Sequence, residues 1–246
     1  MFNVPAVVVA TIALLILVHV GRTYLLSPRD DVQFLLEFSF IPARYDPTLL
    51  AQGGVPGGWG AEIWAFVTYA FIHANFTHLA LNSIWLLAFG SAVARRFGAL
   101  RFIAFFVVTA AAGAGAHLLT HPGDYFPVVG ASASISGFMA AAMRFVFQRG
   151  GPLGALGSGG WQAYRAPAAP LLVILRDPRV LAFLAIWFGL NLLFGIGSVS
   201  LTDEEQSVAW QAHIGGFLAG LLLFPLFDPV SPSGPAQRLE REAVRH

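Results

Sequence analysis

Three short polar clusters interrupt otherwise apolar stretches of this chain, and each carries a group able to do chemistry. The first is His73-Ala74-Asn75-Phe76-Thr77-His78-Leu79-Ala80-Leu81-Asn82. His78 and Asn82 stand four residues apart, so on a helix they share a face and offer side-chain N–H donors together. Asn75 suits the cap of that helix. The second is Val129-Gly130-Ala131-Ser132-Ala133-Ser134-Ile135-Ser136-Gly137, shortly after Pro127. A serine opening a helix sits beside backbone N–H groups that have no intrahelical acceptor, and these can stabilise a developing oxyanion. The third is Ala212-His213-Ile214-Gly215-Gly216-Phe217-Leu218-Ala219-Gly220. Gly216 and Gly220 follow His213 by three and seven residues, on nearly one face, and such a stripe lets a second helix approach backbone to backbone.

Taken singly, each cluster has an ordinary structural reading as a cap, a packing stripe or an interhelical hydrogen bond. Taken together they supply a nucleophile (Ser132), a general base (His213) and oxyanion donors (His78, Asn82), which is what acyl transfer requires. Of the three serines only Ser132 has a glycine two residues before it, Gly130. No acidic residue lies in any cluster, so a Ser–His dyad is expected rather than a triad with an acid.

The elements that must position these groups are set by composition. Of 246 residues, 57% are hydrophobic and 11% charged, against roughly 25% charged in soluble domains. The chain therefore has a lipid bilayer as part of its solvent. The formal net charge of +1 provides no basic excess for nucleic acid. The absence of cysteine excludes disulfides, a thiol nucleophile and Cys-ligated metal. Neither a cofactor nor a metal is expected.

A spanning helix needs about 20 apolar residues. Six segments qualify, at about 4–21, 75–94, 99–119, 128–147, 180–199 and 208–227, and predict an all-α, six-helix membrane bundle. Residues 1–20 lack a basic leader region, so the first segment reads as a retained span. The connections after spans two and four and the tail hold most of the arginines, from Arg95 and Arg96 through Arg144, Arg165 and Arg179 to Arg245. The other side holds most of the acids, including Asp30, Asp31, Glu62, Asp124 and Asp203-Glu204-Glu205. The positive-inside rule then predicts both termini in the cytoplasm, with 22–74, 120–127 and 200–207 facing outward. Counting along the spans puts the three polar clusters at similar depth, near the outer ends of their helices. Residues 148–179 read as a Gly- and Pro-rich flexible cytoplasmic linker, and 229–246 as a polar tail beyond a single membrane domain, 1–228. A transporter built on His73, His78, His117, His121 and His213 is disfavoured, because the interiors of spans two to six hold no carboxylate.

These motifs resemble the rhomboid intramembrane proteases. Phe71-Ile72-His73-Ala74-Asn75-Phe76-Thr77-His78-Leu79, with Asn82 and Phe89-Gly90, is similar to the family's second-helix signature. Gly130-Ala131-Ser132 resembles its Gly-x-Ser motif, and Ala212-His213-Ile214-Gly215-Gly216 with Gly220 its sixth-helix histidine motif. Order and spacing agree over about residues 5–227. The resemblance implies a serine endopeptidase in which Ser132 attacks and His213 takes the proton. His78, Asn82 and the Ser132 amide would hold the oxyanion, while His73, Gly130, Gly216 and Gly220 are structural. It implies single-span membrane proteins as substrates, admitted past the fifth helix with Trp187 and Phe188, and a plasma membrane, that of a bacterium, as the location. Two departures stand out: Ala133 where the family usually has glycine, and Ala94-Arg95-Arg96 where it often carries a glutamate.

Overall fold

A computed structural model describes residues 4–51, 53–154, 160–196 and 209–230. The far end of the fifth predicted span (197–199), the outward connection 200–207, residue 208, and tail residues 231–246 lie outside the described residues. The described residues are helical and contain no strand beyond one isolated bridge, Phe40 to Val128.

Helix α1 spans Ala6–Leu25. Three short helices follow it on the segment predicted as the long outer loop. Helix α2 (Pro28–Phe38) starts where the Ser27 hydroxyl accepts from the Asp30 N–H, with Pro28 in the first turn. Helix α3 (Pro47–Leu50) is a single turn, and α4 covers Gly58–Thr68. The second span runs unbroken over Phe76–Phe97, as α5 (Phe76–Trp85), a wide π turn at Leu86–Gly90 and α6 (Ser91–Phe97). Helix α7 is Ala99–Thr120, α8 Ser132–Met143, α9 the single turn Leu171–Ile174, α10 Pro178–Ile196 and α11 Trp210–Phe227.

Four of these spans, Ala6–Leu25, Phe76–Phe97, Ala99–Thr120 and Trp210–Phe227, are long and apolar enough to cross a membrane, and two apolar helices, Ser132–Met143 and Pro178–Leu193, are shorter. The fourth predicted span, 128–147, is therefore cut back at both ends. Its 12 helical residues reach only about 18 Å. The physical reason is its place in the bundle. Every residue from Ala133 to Val146 is buried, with α7 and α11 along its sides and Phe102 stacked on Phe138 at 4.5 Å. Irregular backbone is tolerated at membrane depth where protein encloses it, so α8 has no need of a lipid-spanning length.

The contact between α8 and α11 is set by glycine. A Cβ at Gly216 would fall 2.1 Å from the Ala133 carbonyl oxygen, and one at Gly220 would fall 2.4 Å from that of Gly137. Gly215 meets α7 in the same way, with Ala116 Cβ 2.4 Å from where its own Cβ would be. Helix α11 is thus wedged between α7 and α8, its own glycines placing no side chain at the contact line.

At the end of the bundle away from the three clusters, Arg96 makes a bidentate pair with Asp228, at 2.8 Å for each bond, and both side chains are buried. The same guanidinium donates to the carbonyls of Tyr164 and Ala166. Arg144 donates to Ala169 O, and Ala169 N–H returns a bond to Arg144 O. The linker expected to be flexible is therefore pinned over residues 164–169 by two arginines whose partners lie far away in sequence. Residues 155–159 of that linker lie outside the described residues.

Candidate active site

Ser132 opens α8, and as its first residue it has a backbone N–H with no intrahelical acceptor. The chain before it is held from two sides. Val128 exchanges both backbone bonds with Phe40, at 2.8 and 3.1 Å, and Gly130 N–H donates to Tyr69 O at 3.0 Å. Tyr69 is itself anchored, its hydroxyl donating to Ala110 O at 2.9 Å on α7. The segment between α1 and α5 thus fixes where the chain enters α8 ahead of Ser132, a role for Phe40 and Tyr69 that no local sequence signal suggests.

Gly130 has φ +118°, the region that favours glycine. A Cβ there would lie 2.7 Å from both Cε1 and Nε2 of His78. Gly130 therefore lets the His78 ring rest on the backbone two residues before Ser132. His78 is the third residue of α5, whose start is capped by Asn75 Oδ1 accepting from His78 N–H at 2.9 Å. Asn82 lies one turn on, buried, and donates one amide hydrogen to His78 O at 3.0 Å, which leaves its second N–H free of that bond. His73 is fully buried with its ring edge-on to that of His78 at 5.1 Å. Its carbonyl accepts from His19 and Arg22, tying this corner to α1.

His213, the fourth residue of α11, faces Ser132 across the glycine-lined contact. Its Nε2 lies 2.7 Å from Ser132 Oγ, within ordinary hydrogen-bond range. The other serines are engaged elsewhere: Ser134 Oγ donates to Phe106 O and Ser136 Oγ to Ser132 O. Ser134 is fully buried against α7. So the structure brings together Ser132, His213, His78 and Gly130, with Asn82 one turn beyond His78 on α5 and Gly216 and Gly220 setting the helix contact. Ala133, the departure beside Ser132, turns its methyl into the notch left by Gly113 of α7.

One member escaped the sequence reading. Asn191 of α10 places its Oδ1 2.5 Å from His213 Nδ1. A signal existed, since Asn191 is the one polar side chain described in α10 after Arg179, and polar residues inside membrane helices are costly. Nothing local linked it to a histidine 22 residues away. Among the described residues no three His, Cys, Asp or Glu side chains converge as metal ligands would.

A polytopic helical membrane protein with a serine and a histidine in contact between two closely packed helices is the class that this fold and site define. The Rhomboid domain model matches residues 60–228, and the chain belongs to the rhomboid family. It is 26% identical over 193 residues to RHOMBOID-like protein 5 of Arabidopsis thaliana, covering 75% of this chain and 53% of that protein. It is 34% identical over 96 residues to the putative rhomboid protease YdcA of Bacillus subtilis, covering 39% of this chain and 46% of the relative. It is 22% identical over 138 residues to the rhomboid protease GlpG of Haemophilus influenzae, covering 56% and 59%. The chain spans from about half to two thirds of the length of the plant relatives it matches.

Proposed function

We propose that this chain is an intramembrane serine endopeptidase that cleaves single-span membrane proteins near the extracytoplasmic side through Ser132 and His213. The observation that carries the reading is the 2.7 Å contact between Ser132 Oγ and His213 Nε2, made while the neighbouring serines are bonded to backbone carbonyls. The protease-named relatives support the same reaction class.

In the proposed reaction Ser132 Oγ attacks the scissile carbonyl carbon while its proton passes to His213 Nε2. The carbonyl oxygen becomes an oxyanion held by the Ser132 N–H, the free amide hydrogen of Asn82 and the ring of His78. Collapse of this intermediate breaks the C–N bond, and the amine leaves with the proton from His213. Water then attacks the Ser132 ester, giving its proton to His213 and releasing the new carboxyl end and free serine.

The length of α8 supports one position in the bilayer. If its far end, near Arg144, lies at the cytoplasmic boundary, then a helix of about 18 Å leaves Ser132 about 12 Å below the outer surface of a ~30 Å hydrocarbon core. Both termini are then cytoplasmic, residues 1–228 form the protease domain, and 229–246 form the tail. A plasma membrane of bacterial type suits this arrangement. Exposed Trp59, Ile63 and Trp64 on α4 suit the outer headgroup region.

The test is labelling of the purified full chain by a fluorophosphonate, paired with cleavage of a model transmembrane substrate in proteoliposomes. Wild type is expected to react in both assays, and Ser132→Ala and His213→Ala in neither. Full cleavage by Ser132→Ala would sink the mechanism.

A further inference from the structure

Helix α10 carries a side chain that bears directly on the base. Asn191 Nδ2 donates to Trp187 O at 2.8 Å. That bond decides which way the amide faces, since only the NH₂ end can donate to a carbonyl. Oδ1 is thereby turned toward His213, 2.5 Å from Nδ1. An amide oxygen has no hydrogen to give, so the proton of this bond belongs to His213 Nδ1. A neutral imidazole protonated at Nδ1 has its lone pair at Nε2, the atom 2.7 Å from Ser132 Oγ. The chain of bonds then runs in one direction, from Ser132 O–H to Nε2 and from Nδ1–H to Asn191 Oδ1. Trp187 is itself seated, buried and stacked on Phe217 of α11 at 4.9 Å, so the amide is held through its own helix.

We infer that Asn191 is a positioning residue, which holds His213 in the Nδ1-protonated tautomer and keeps Nε2 free to take the Ser132 proton. The inference rests on the proposed proteolytic function for its effect on rate, although the tautomer itself does not depend on it. The expected dyad becomes a Ser–His–Asn arrangement, in which a neutral amide takes the orienting part that a carboxylate plays in Ser–His–Asp enzymes. An amide dipole steadies the imidazolium formed during attack without placing a full negative charge inside the bundle, where an unpaired carboxylate is costly. Because Asn191 rides on α10 while His213 rides on α11, the seat of α10 sets the readiness of the base.

The experiment uses full-length protein with ¹⁵N-labelled histidine and two variants, Asn191→Leu, which keeps the side chain's shape but loses the acceptor, and Asn191→Asp, which keeps an acceptor. In wild type the His213 ring nitrogens are expected to report protonation at Nδ1. Asn191→Leu should show a mixture of tautomers. Its fluorophosphonate labelling and kcat should fall roughly 10–100-fold, the size of loss seen when the partner that orients a metal-bound histidine is removed, with KM within about twofold. Asn191→Asp should recover most of the labelling rate. Wild type protonated at Nε2 overturns the inference outright, even if Asn191→Leu does not fold. So does Asn191→Leu labelling at the wild-type rate, or a loss in both variants that appears in KM alone. If wild-type protein is not labelled at all, the protease reading fails, and the nitrogen shifts still decide the tautomer.

Discussion

Replacing Gly216 by alanine tests the link between helix packing and chemistry most directly. The added Cβ would sit 2.1 Å from the Ala133 carbonyl oxygen and 2.7 Å from the Ala133 carbonyl carbon. These are backbone atoms in the first turn of α8, so no side chain can rotate away. Relief requires α8 and α11 to part by about 1 Å before contact distances become normal. His213 is three residues before Gly216, on the same face, and its Nε2 would be drawn from 2.7 Å to about 3.7 Å from Ser132 Oγ, beyond a useful hydrogen bond. A misplacement of that size costs roughly 10²-fold in rate, while overpacking costs about 1–3 kcal/mol of stability. The assays are fluorophosphonate labelling rate, substrate cleavage and thermal unfolding in the same detergent. Gly220→Ala is the control. It creates a comparable clash, 2.4 Å from Gly137 O, but seven residues from His213, about 10 Å along the helix. Gly216→Ala should lose markedly more activity than Gly220→Ala for a similar loss of stability. Wild-type labelling by Gly216→Ala, or equal activity losses in the two variants, would refute the argument that this contact sets the Ser–His distance.

Two further outcomes follow from the geometry. Gly130→Ala meets both a left-handed φ and the His78 ring 2.7 Å away, so cleavage should drop at least as far as with Gly216→Ala, which initial rates would show. Asp228→Ala strips the partner from a fully buried Arg96 and should cost about 3–5 kcal/mol, read as a lowered unfolding midpoint, with linker residues 164–169 becoming open to proteolysis.

Much of this protein is legible along the chain, because hydropathy and helical spacing are local properties. Composition alone requires a bilayer, and long apolar runs mark the spans at Ala6–Leu25 and Ala99–Thr120 within a few residues of their expected bounds. The i, i+4 spacing of His78 and Asn82, the Asn75 cap and the small-residue stripe at Gly216 and Gly220 can be read the same way, since each relation closes within two helical turns. The tertiary structure decided whatever depends on partners far apart. Helix α8 is short because protein surrounds it, which hydropathy cannot register. Ser132 stands apart from Ser134 and Ser136 because their hydroxyls are bonded to carbonyls. The methyl of Ala133 is accommodated by Gly113, a residue of α7. Arg96 finds Asp228 across 132 positions, and His213 finds Asn191 on a different helix. Hydrogen bonds and close contacts of this kind form at a few ångströms in space between residues with no fixed separation in sequence. For that reason the parts of the site could be named from the chain, whereas their distances, and the third member behind the histidine, came only with the packed bundle.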